Sequence, residues 1–129
     1  MPSYDTRYYD PPAPVAQVTL RAADGTTVSD VQMLIDTGAD ATLLPRSAVA
    51  GLGIMFDPSL QYELLGFDGT RSTAQAVDLD MHFLHRAFRG RYLIIDADHG
   101  VLGRDVLANL ILIFDGPRQE WSQQQPAVP

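Results

Sequence analysis

The amino-acid sequence predicts a small all-β domain with little helix. Short segments that alternate apolar and polar residues dominate the chain, and Asp-Gly dipeptides separate several of them. The chain has 129 residues, of which 46% are hydrophobic, so one core can form without a metal or a disulfide. We expect one folded domain over residues 15–121, a flexible proline-rich arm over 1–14, and a flexible tail over 122–129.

The first predicted hairpin joins strands over residues 15–22 and 27–35. Val18 and Leu20 share one face of the first strand, and alternate residues from Val31 share one face of the second. Asp24-Gly25, between them, is typical of a tight hairpin turn.

The remaining elements are predicted from prolines and glycines, which favour helix ends and turns. Pro45 favours the first position of a short helix over residues 45–50, and Gly51 ends it. Asp68-Gly69 and Asp115-Gly116-Pro117 are predicted turns. Further strands are predicted over residues 62–65, 72–83, 89–95 and 111–114, and a second short helix over 105–110.

Composition excludes several classes of function. The formal net charge is -7 and basic residues do not cluster, which argues against nucleic-acid partners and anionic membranes. Without cysteine, a thiolate metal site or thiol redox chemistry is ruled out. Residues 1–14 lack the apolar core of a signal peptide, and the apolar run at 110–114 is too short to span a bilayer. We expect a cytoplasmic protein with no cofactor.

The strongest candidate for chemistry is the carboxylate of Asp36, which directly follows an apolar strand. Gly38 allows close approach of a second backbone, and the hydroxyl of Thr37 can hold the loop rigid. The alternative is a purely structural role, in which Asp36 is a loop aspartate that caps a turn.

The segment from Leu34 resembles the active-site loop of the retropepsin-like aspartic proteases, the family of the retroviral proteases. Their motif is Asp-Thr/Ser-Gly-Ala, preceded by apolar residues and followed by Asp or Ser and an apolar run. The matching residues here are Asp36, Thr37, Gly38, Ala39 and Asp40.

Two further segments match the family in the same order. A glycine-tipped hairpin in the family, the flap, closes over substrate, and the resemblance assigns it to Gly66, Phe67, Asp68, Gly69 and Thr70. The segment Val101-Leu102-Gly103-Arg104-Asp105 resembles the second landmark, in which the arginine reaches back to the acidic residue after the active-site loop. The resemblance therefore implies a contact between Arg104 and Asp40, which otherwise reads as an ordinary surface ion pair.

The resemblance implies a closed, β-barrel-like acid-protease lobe with one or two short helices, and a homodimer with itself. Since the chain holds one such loop, the second Asp36 must come from a second subunit. Two carboxylates about 3 Å apart share a proton and activate a water that attacks a peptide bond. Thr37 of each chain should hydrogen-bond across the twofold axis, and the partners are a second copy and a peptide or protein substrate.

The dimer sheet should differ from that of the retroviral relatives, in which both termini interweave. The N-terminal arm is rich in proline, and Asp115-Gly116-Pro117 follows the last apolar run, so we expect a hairpin over residues 111–121 instead. Trp121, the sole tryptophan, fits a core position, a hairpin position or a dimer contact equally well.

Other interpretations stay open. Asp78, Asp80 and His82 share one strand face and have side chains that suit divalent metals, although a solvated strand face is far commoner. The polar loop with Asp96 and His99 has the same two interpretations. The whole chain is either an active endopeptidase, an idle binding module of the same fold, or one partner of a hetero-assembly.

Overall fold

The computed structural model describes residues 2–54, 61–65 and 68–124. Strands alternate with two short helices, α1 (Arg46–Ala50) and α2 (Arg104–Leu107). The ten strands of this part of the chain are β1 (Tyr4–Asp5), β2 (Ala13–Arg21), β3 (Thr27–Ile35), β4 (Leu43–Pro45), β5 (Gln61–Leu65), β6 (Arg71–Phe83), β7 (Arg86–Ile95), β8 (Gly100–Leu102), β9 (Leu112–Asp115) and β10 (Glu120–Gln123). The predicted all-β class with little helix is confirmed.

Six strands close into a barrel-like ring in the order β2, β3, β8, β4, β7, β6, because β6 pairs both with β7 and with β2. The pairs β3–β8 and β4–β7 are parallel, whereas β4–β8 and the hairpins are antiparallel. The small β1 extends the ring beside β2, and β5 extends it beside β6. The parallel strands β3 and β8 bring the loop after β3 next to the start of α2.

The core fills the inside of this ring, and buried residues alternate along β2 and β3. Val31, Met33 and Ile35 of β3 are buried, as are Val18 and Leu20 of β2, which confirms the faces predicted for the first hairpin. Its turn is as expected: Gly25 has φ 91°, and Thr26 donates its backbone N–H to Asp24 Oδ1 at 2.9 Å.

Short elements account for most differences from the predicted elements. The strands β1, β4 and β8 were not predicted, and α2 ends at Leu107, before the predicted end at residue 110. Pro45 closes β4 and stands at the N-cap of α1. Strands of two to four residues carry too little periodicity to be recognised, and their partners lie far away in sequence.

The N-terminal arm, predicted to be extended and unpacked, contacts the body of the domain. Tyr4 and Asp5 pair with Pro14 and Ala13, and Tyr8 stacks on His99 with ring centroids 3.9 Å apart. The prediction missed these contacts because each depends on residues distant in sequence. The boundaries of the arm and domain otherwise stay a prediction.

The C-terminal strands β9 and β10 form the hairpin predicted over residues 111–121, and β10 continues to Gln123, into the predicted tail. Trp121 is 2% exposed, donates Nε1–H to the Val15 carbonyl at 2.8 Å, and packs against Phe83. Trp121 therefore lies in the core and also on the hairpin, which are two of the three possibilities that the sequence left open. Residues 125–129 of the tail lie outside the described part.

No helix within the described ranges is both long enough and apolar enough to cross a bilayer.

Candidate active site

Asp36 lies at the end of β3, at the head of a tight loop. Its backbone N–H donates to the Leu102 carbonyl at 3.1 Å, and its carbonyl accepts from the N–H of Ala39 at 3.2 Å. Its carboxylate atom Oδ1 accepts the N–H of Gly38 at 2.9 Å. No other hydrogen bond to this carboxylate occurs among the described residues, so Oδ2 is available for a ligand. The side chain is half-buried, and Thr37 and Gly38 beside it are exposed.

Arg104 fastens this loop from the first position of α2. One guanidinium nitrogen donates to the Thr37 carbonyl and the other to Asp40 Oδ1, both at 2.7 Å. Its backbone N–H donates to the Ala39 carbonyl at 2.8 Å. The contact predicted between Arg104 and Asp40 is thus present. Since both side chains are more than half exposed, the ion pair adds little stability, and its geometric effect on the loop is larger.

A second link, which the sequence did not reveal, joins Thr42 to Asp105. Thr42 is 1% exposed, and its hydroxyl donates to Asp105 Oδ1 at 2.7 Å while its N–H donates to Oδ2 at 3.0 Å. The same hydroxyl accepts the N–H of Gly103 at 3.1 Å. The signal was present as the Asp after Arg104 in the second landmark, but only the arginine of that pair was given a role.

Gly103 allows α2 to approach the active-site loop this closely. A Cβ at this position would lie 2.6 Å from the carbonyl carbon and oxygen of Ala41 and 3.0 Å from the carbonyl oxygen of Ala39. Both neighbours are backbone atoms, which cannot rotate away. Two short connections, one after β3 and one after β8, are therefore packed backbone against backbone.

The predicted flap lies at the end of the β5–β6 hairpin, where Leu65 pairs with Arg71. Gly66 and Phe67 lie outside the described residues. Gly69 has φ +83°, and Asp68 Oδ1 accepts both the N–H and the hydroxyl of Thr70, at 3.0 and 2.6 Å. These hydrogen bonds lower the pKa of the Asp68 carboxyl. Residues 68–70 are thus held by these hydrogen bonds, and the role of the hairpin over substrate stays a prediction.

The polar strand face is occupied by ion pairs with the neighbouring strand. Arg91 binds Asp78 at 2.8 Å and Arg89 binds Asp80 at 2.9 Å, each from β7 to β6. Each arginine lowers the pKa of its aspartate, chiefly through the side-chain hydrogen bond. Across the described part of the chain, no three His, Cys, Asp or Glu side chains lie close enough together to hold a metal ion.

The second polar segment, between β7 and β8, is also paired. Asp96 binds Arg46, and His99 Nδ1 lies 3.2 Å from the hydroxyl of Tyr9. Neither polar segment therefore adds to the candidate site, which consists of the carboxylate of Asp36 and of the residues that hold its loop, 37–42 and 103–105.

A family model described as aspartyl protease matches residues 16–106. The chain belongs to the aspartyl protease family. The match includes the Asp36 loop, the β5–β6 hairpin and the landmark at Arg104, which are the three segments that carried the resemblance to retropepsin-like proteases.

The fold agrees with this assignment. The structure is similar to EIAV protease complexed with the inhibitor HBY-793, with a TM-score of 0.56 and 23% identity, covering 75% of this chain and 86% of that one. The family member described here thus has the retropepsin-like fold that the sequence predicted.

A curated relative comes from another class of enzyme. The chain is 35% identical over 77 residues to a phosphopentomutase of Shewanella pealeana, which is 60% of this chain and 19% of that protein. The chain spans about a fifth of that relative's length, so the mutase activity does not transfer to it.

Proposed function

We propose that this chain is the subunit of a homodimeric aspartic endopeptidase whose two Asp36 carboxylates form one catalytic pair. The observation that carries the proposal is the hydrogen bonding of the Asp36 carboxylate. Its Oδ1 accepts the N–H of Gly38, and the carboxylate has no further hydrogen-bond partner among the described residues. A half-buried acid with one oxygen fixed and one available is suited to bind a water molecule.

The second copy completes the pair. At about 3 Å separation two carboxylates cannot both ionise, so the pair holds a single proton. The ionised Asp36 takes a proton from the bound water, whose oxygen attacks the scissile carbonyl carbon. The protonated Asp36 of the partner subunit donates its proton to the carbonyl oxygen, which gives a neutral tetrahedral diol.

Collapse of the diol cleaves the peptide bond. One carboxylate removes a hydroxyl proton as the carbonyl re-forms, and the leaving nitrogen receives a proton from the other. The products are a carboxylic acid and an amine, and the pair ends with the single proton that it held at the start. Because the pair must hold one proton, activity should follow a bell-shaped pH profile on the acidic side of neutrality.

Several residues support this chemistry without reacting. Arg104 and the Thr42–Asp105 link fix the loop around Asp36, and Thr37 is exposed where it can hydrogen-bond to its twin across the axis. The β5–β6 hairpin, with Asp68, Gly69 and Thr70 at its turn, is the element proposed to bind the substrate main chain as an added strand.

The proposed substrate class rests on apolar residues that we expect to line the substrate pockets. Ile95 and Val101 are half-buried apolar residues on strands that lead to and from the polar loop at 96–99. We expect hydrophobic side chains on both sides of the cleaved bond. Statine-type mimics of the tetrahedral state should bind more tightly than the corresponding peptides.

Cleavage of a peptide library, followed by mass spectrometry between about pH 3 and pH 7, tests the proposal. The matched control is Asp36→Asn, which keeps the shape and removes the acid. Wild type should cut and the variant should lose at least about 10³-fold in kcat/KM. Equal behaviour of the two at every pH would show that the site is idle and that the chain is a binding module.

A further inference from the structure

The N-terminal arm closes into a small loop of its own before the barrel begins. Strand β1 pairs with the first two residues of β2, so the two ends of residues 5–13 lie side by side. Within this segment, Asp5 Oδ1 accepts the backbone N–H of Arg7 at 2.7 Å and that of Tyr8 at 2.9 Å. Residues 5–13, which we call the arm loop, therefore form a closed projection with Tyr8 near its tip.

Two aromatic side chains of the arm loop hold the imidazole of His99. The ring of Tyr8 stacks on it, with the ring centroids 3.9 Å apart and the ring planes 13° apart. The hydroxyl of Tyr9 lies 3.2 Å from His99 Nδ1, and the Tyr9 ring meets that of Tyr8 edge-on at 5.0 Å. Aromatic pairs in such arrangements stabilise a contact beyond the area that they bury. The arm loop is thus fixed to the polar loop at 96–99.

The polar loop at 96–99 is also fixed at its other end. Asp96 pairs with Arg46, and Nη1 of this arginine donates to Gln75 Oε1 at 2.8 Å. Gln75 lies on β6, opposite Gln61 of β5, at the base of the β5–β6 hairpin. One arginine therefore joins the polar loop to the hairpin proposed to bind substrate, and the two lie on the same side of the barrel.

The polar loop leads directly to the loop that holds Asp36. Strand β8 begins beside β3 at Gly100, and two residues later the Leu102 carbonyl accepts the N–H of Asp36. The start of β8 is tightly packed, since a Cβ on Gly100 would lie 2.5 Å from a backbone oxygen of β4. At about 3.3 Å per residue, β8 places His99 about 10 Å from the residue that binds the Asp36 backbone.

Tyr8 presents a free aromatic surface at this position. Its side chain lies against His99 on one ring face and against Tyr9 at an edge, yet Tyr8 is 50% exposed. A ring that is already immobilised on one side loses little conformational freedom when another group packs on the other side. The free face of Tyr8 is therefore a pre-organised surface for an apolar side chain.

We propose that Tyr8 is a specificity-determining residue, whose free face takes an apolar or aromatic side chain of the peptide substrate about three residues from the cleaved bond. The inference rests on the proposed function, because the peptide must run past Asp36 to reach the arm loop. An extended peptide advances about 3.3 Å per residue, so a side chain about 10 Å from the cut belongs to about the third residue. His99 is a positioning residue, because it acts on substrate through the ring of Tyr8.

A peptide library randomised at one position at a time, and assayed with the full chain at a single pH, tests the proposal. Wild type should favour an aromatic residue over alanine by about threefold to tenfold in kcat/KM at one position outside the pair that flanks the cut. Tyr8→Ala should abolish this preference by raising KM for the aromatic peptide, with kcat changed by less than about twofold. Tyr8→Phe keeps the stacked ring and should keep the preference. An undiminished preference in Tyr8→Ala overturns the proposal.

The variant His99→Ala tests whether the ring of Tyr8 must be held in place. It leaves Tyr8 in the chain but removes the ring beneath it, so the preference should fall as far as in Tyr8→Ala. The double variant should then be no worse than either single variant. Losses that multiply in the double variant would overturn the positioning role of His99. Arg7→Ala, an exposed neighbour on the arm loop, is the control and should leave the preference unchanged.

Backbone hydrogen exchange gives a readout that does not depend on cleavage. The amides of residues 96–100 should exchange faster in Tyr8→Ala than in Tyr8→Phe, because the first variant releases the polar loop from the arm loop. Equal exchange in the two variants would contradict the contact. Since Tyr8 is an exposed residue outside the core, neither change should unfold the domain.

The outcomes separate this inference from the proposed function. A chain that cleaves peptides only with Asp36 intact, but shows no aromatic preference outside the pair that flanks the cut, refutes the role of Tyr8 alone. A wild-type chain that cleaves no peptide refutes both, and faster exchange in Tyr8→Ala then shows that the arm loop has a purely structural role.

Discussion

Thr42 and Asp105 are joined by two hydrogen bonds, from the hydroxyl to Oδ1 at 2.7 Å and from the backbone N–H to Oδ2 at 3.0 Å. The first residue lies just after the active-site loop and the second lies in α2, 63 positions apart. Thr42 is a buried polar residue next to the active-site loop. The carboxylate of Asp105 therefore ties the loop to the helix through both backbone and side chain.

Removal of this carboxylate should destabilise the domain measurably. Asp105→Ala leaves the Thr42 N–H and hydroxyl without their acceptor, and a buried unsatisfied group costs about 1–3 kcal/mol. Urea unfolding measures the loss, and Asp98→Ala, an exposed loop carboxylate, should stay within about 0.5 kcal/mol of wild type. In a double-mutant cycle, Thr42→Val should add much less in the Asp105→Ala background than in wild type. Additive effects would contradict the link.

Arg104→Lys should impair catalysis far more than folding. A lysine cannot reach the Thr37 carbonyl and Asp40 together, because it lacks the planar fork of donors. The unfolding free energy should change by less than about 1 kcal/mol, since the ion pair is exposed. The value of kcat should fall between about tenfold and a hundredfold through misplacement of Asp36. Arg118→Lys, in an exposed pair at the hairpin turn, is the control and should leave kcat unchanged.

If Arg104→Lys lowered stability and activity in proportion, the arginine would act only as a structural group. A second variant is informative here. Asp40→Asn retains a hydrogen-bond acceptor for the guanidinium, so it should lower kcat less than Arg104→Lys.

Gly103→Ala should be among the most destabilising alanine substitutions at a glycine in this chain. The added Cβ would lie 2.6 Å from backbone atoms of Ala41, so α2 or the active-site loop must move. Overpacking of this kind costs about 1–3 kcal/mol or more. Gly116→Ala meets nothing within 4 Å and should change stability by less than about 0.5 kcal/mol in the same thermal unfolding experiment. Similar melting temperatures for the two variants would contradict the close approach.

The parts of the fold that the sequence predicted are those with strong local signals. The hairpin of β2 and β3 combines alternation over nine-residue strands with an Asp-Gly turn, and its bounds were predicted nearly correctly. The Asp36 loop was recognised because several residues in fixed order resemble one family, and the same applies to Arg104.

The parts that the sequence did not predict depend on distant partners. Leu43–Pro45 and Gly100–Leu102 are strands only because each pairs with a neighbour brought near by the ring. The pairing of residues 2–4 with β10 joins the two ends of the chain, and no local pattern reports it.

Acid should weaken the domain through the ion pairs between β6 and β7. Hydrogen bonds from Arg91 and Arg89 lower the pKa values of Asp78 and Asp80 below the reference value of 3.8. A carboxyl with a lowered folded pKa binds fewer protons in the folded state than in the unfolded state between the two values. Its stabilisation is therefore complete above the reference value and is lost as pH falls through the folded pKa. The urea midpoint should fall as pH drops below about 4.

The double variant Asp78→Asn with Asp80→Asn isolates this contribution. It removes both titrating groups, so its urea midpoint should lie below that of wild type at about pH 6 and approach it as pH falls through the lowered pKa values of the two wild-type carboxyls. The residual acid dependence of the variant then reports other groups with lowered pKa values, among them Asp68 at the flap turn. A gap between the two proteins that stays constant from pH 6 to pH 2.5 would show that the arginine pairs do not contribute to acid sensitivity, since only a titrating group changes its effect with pH.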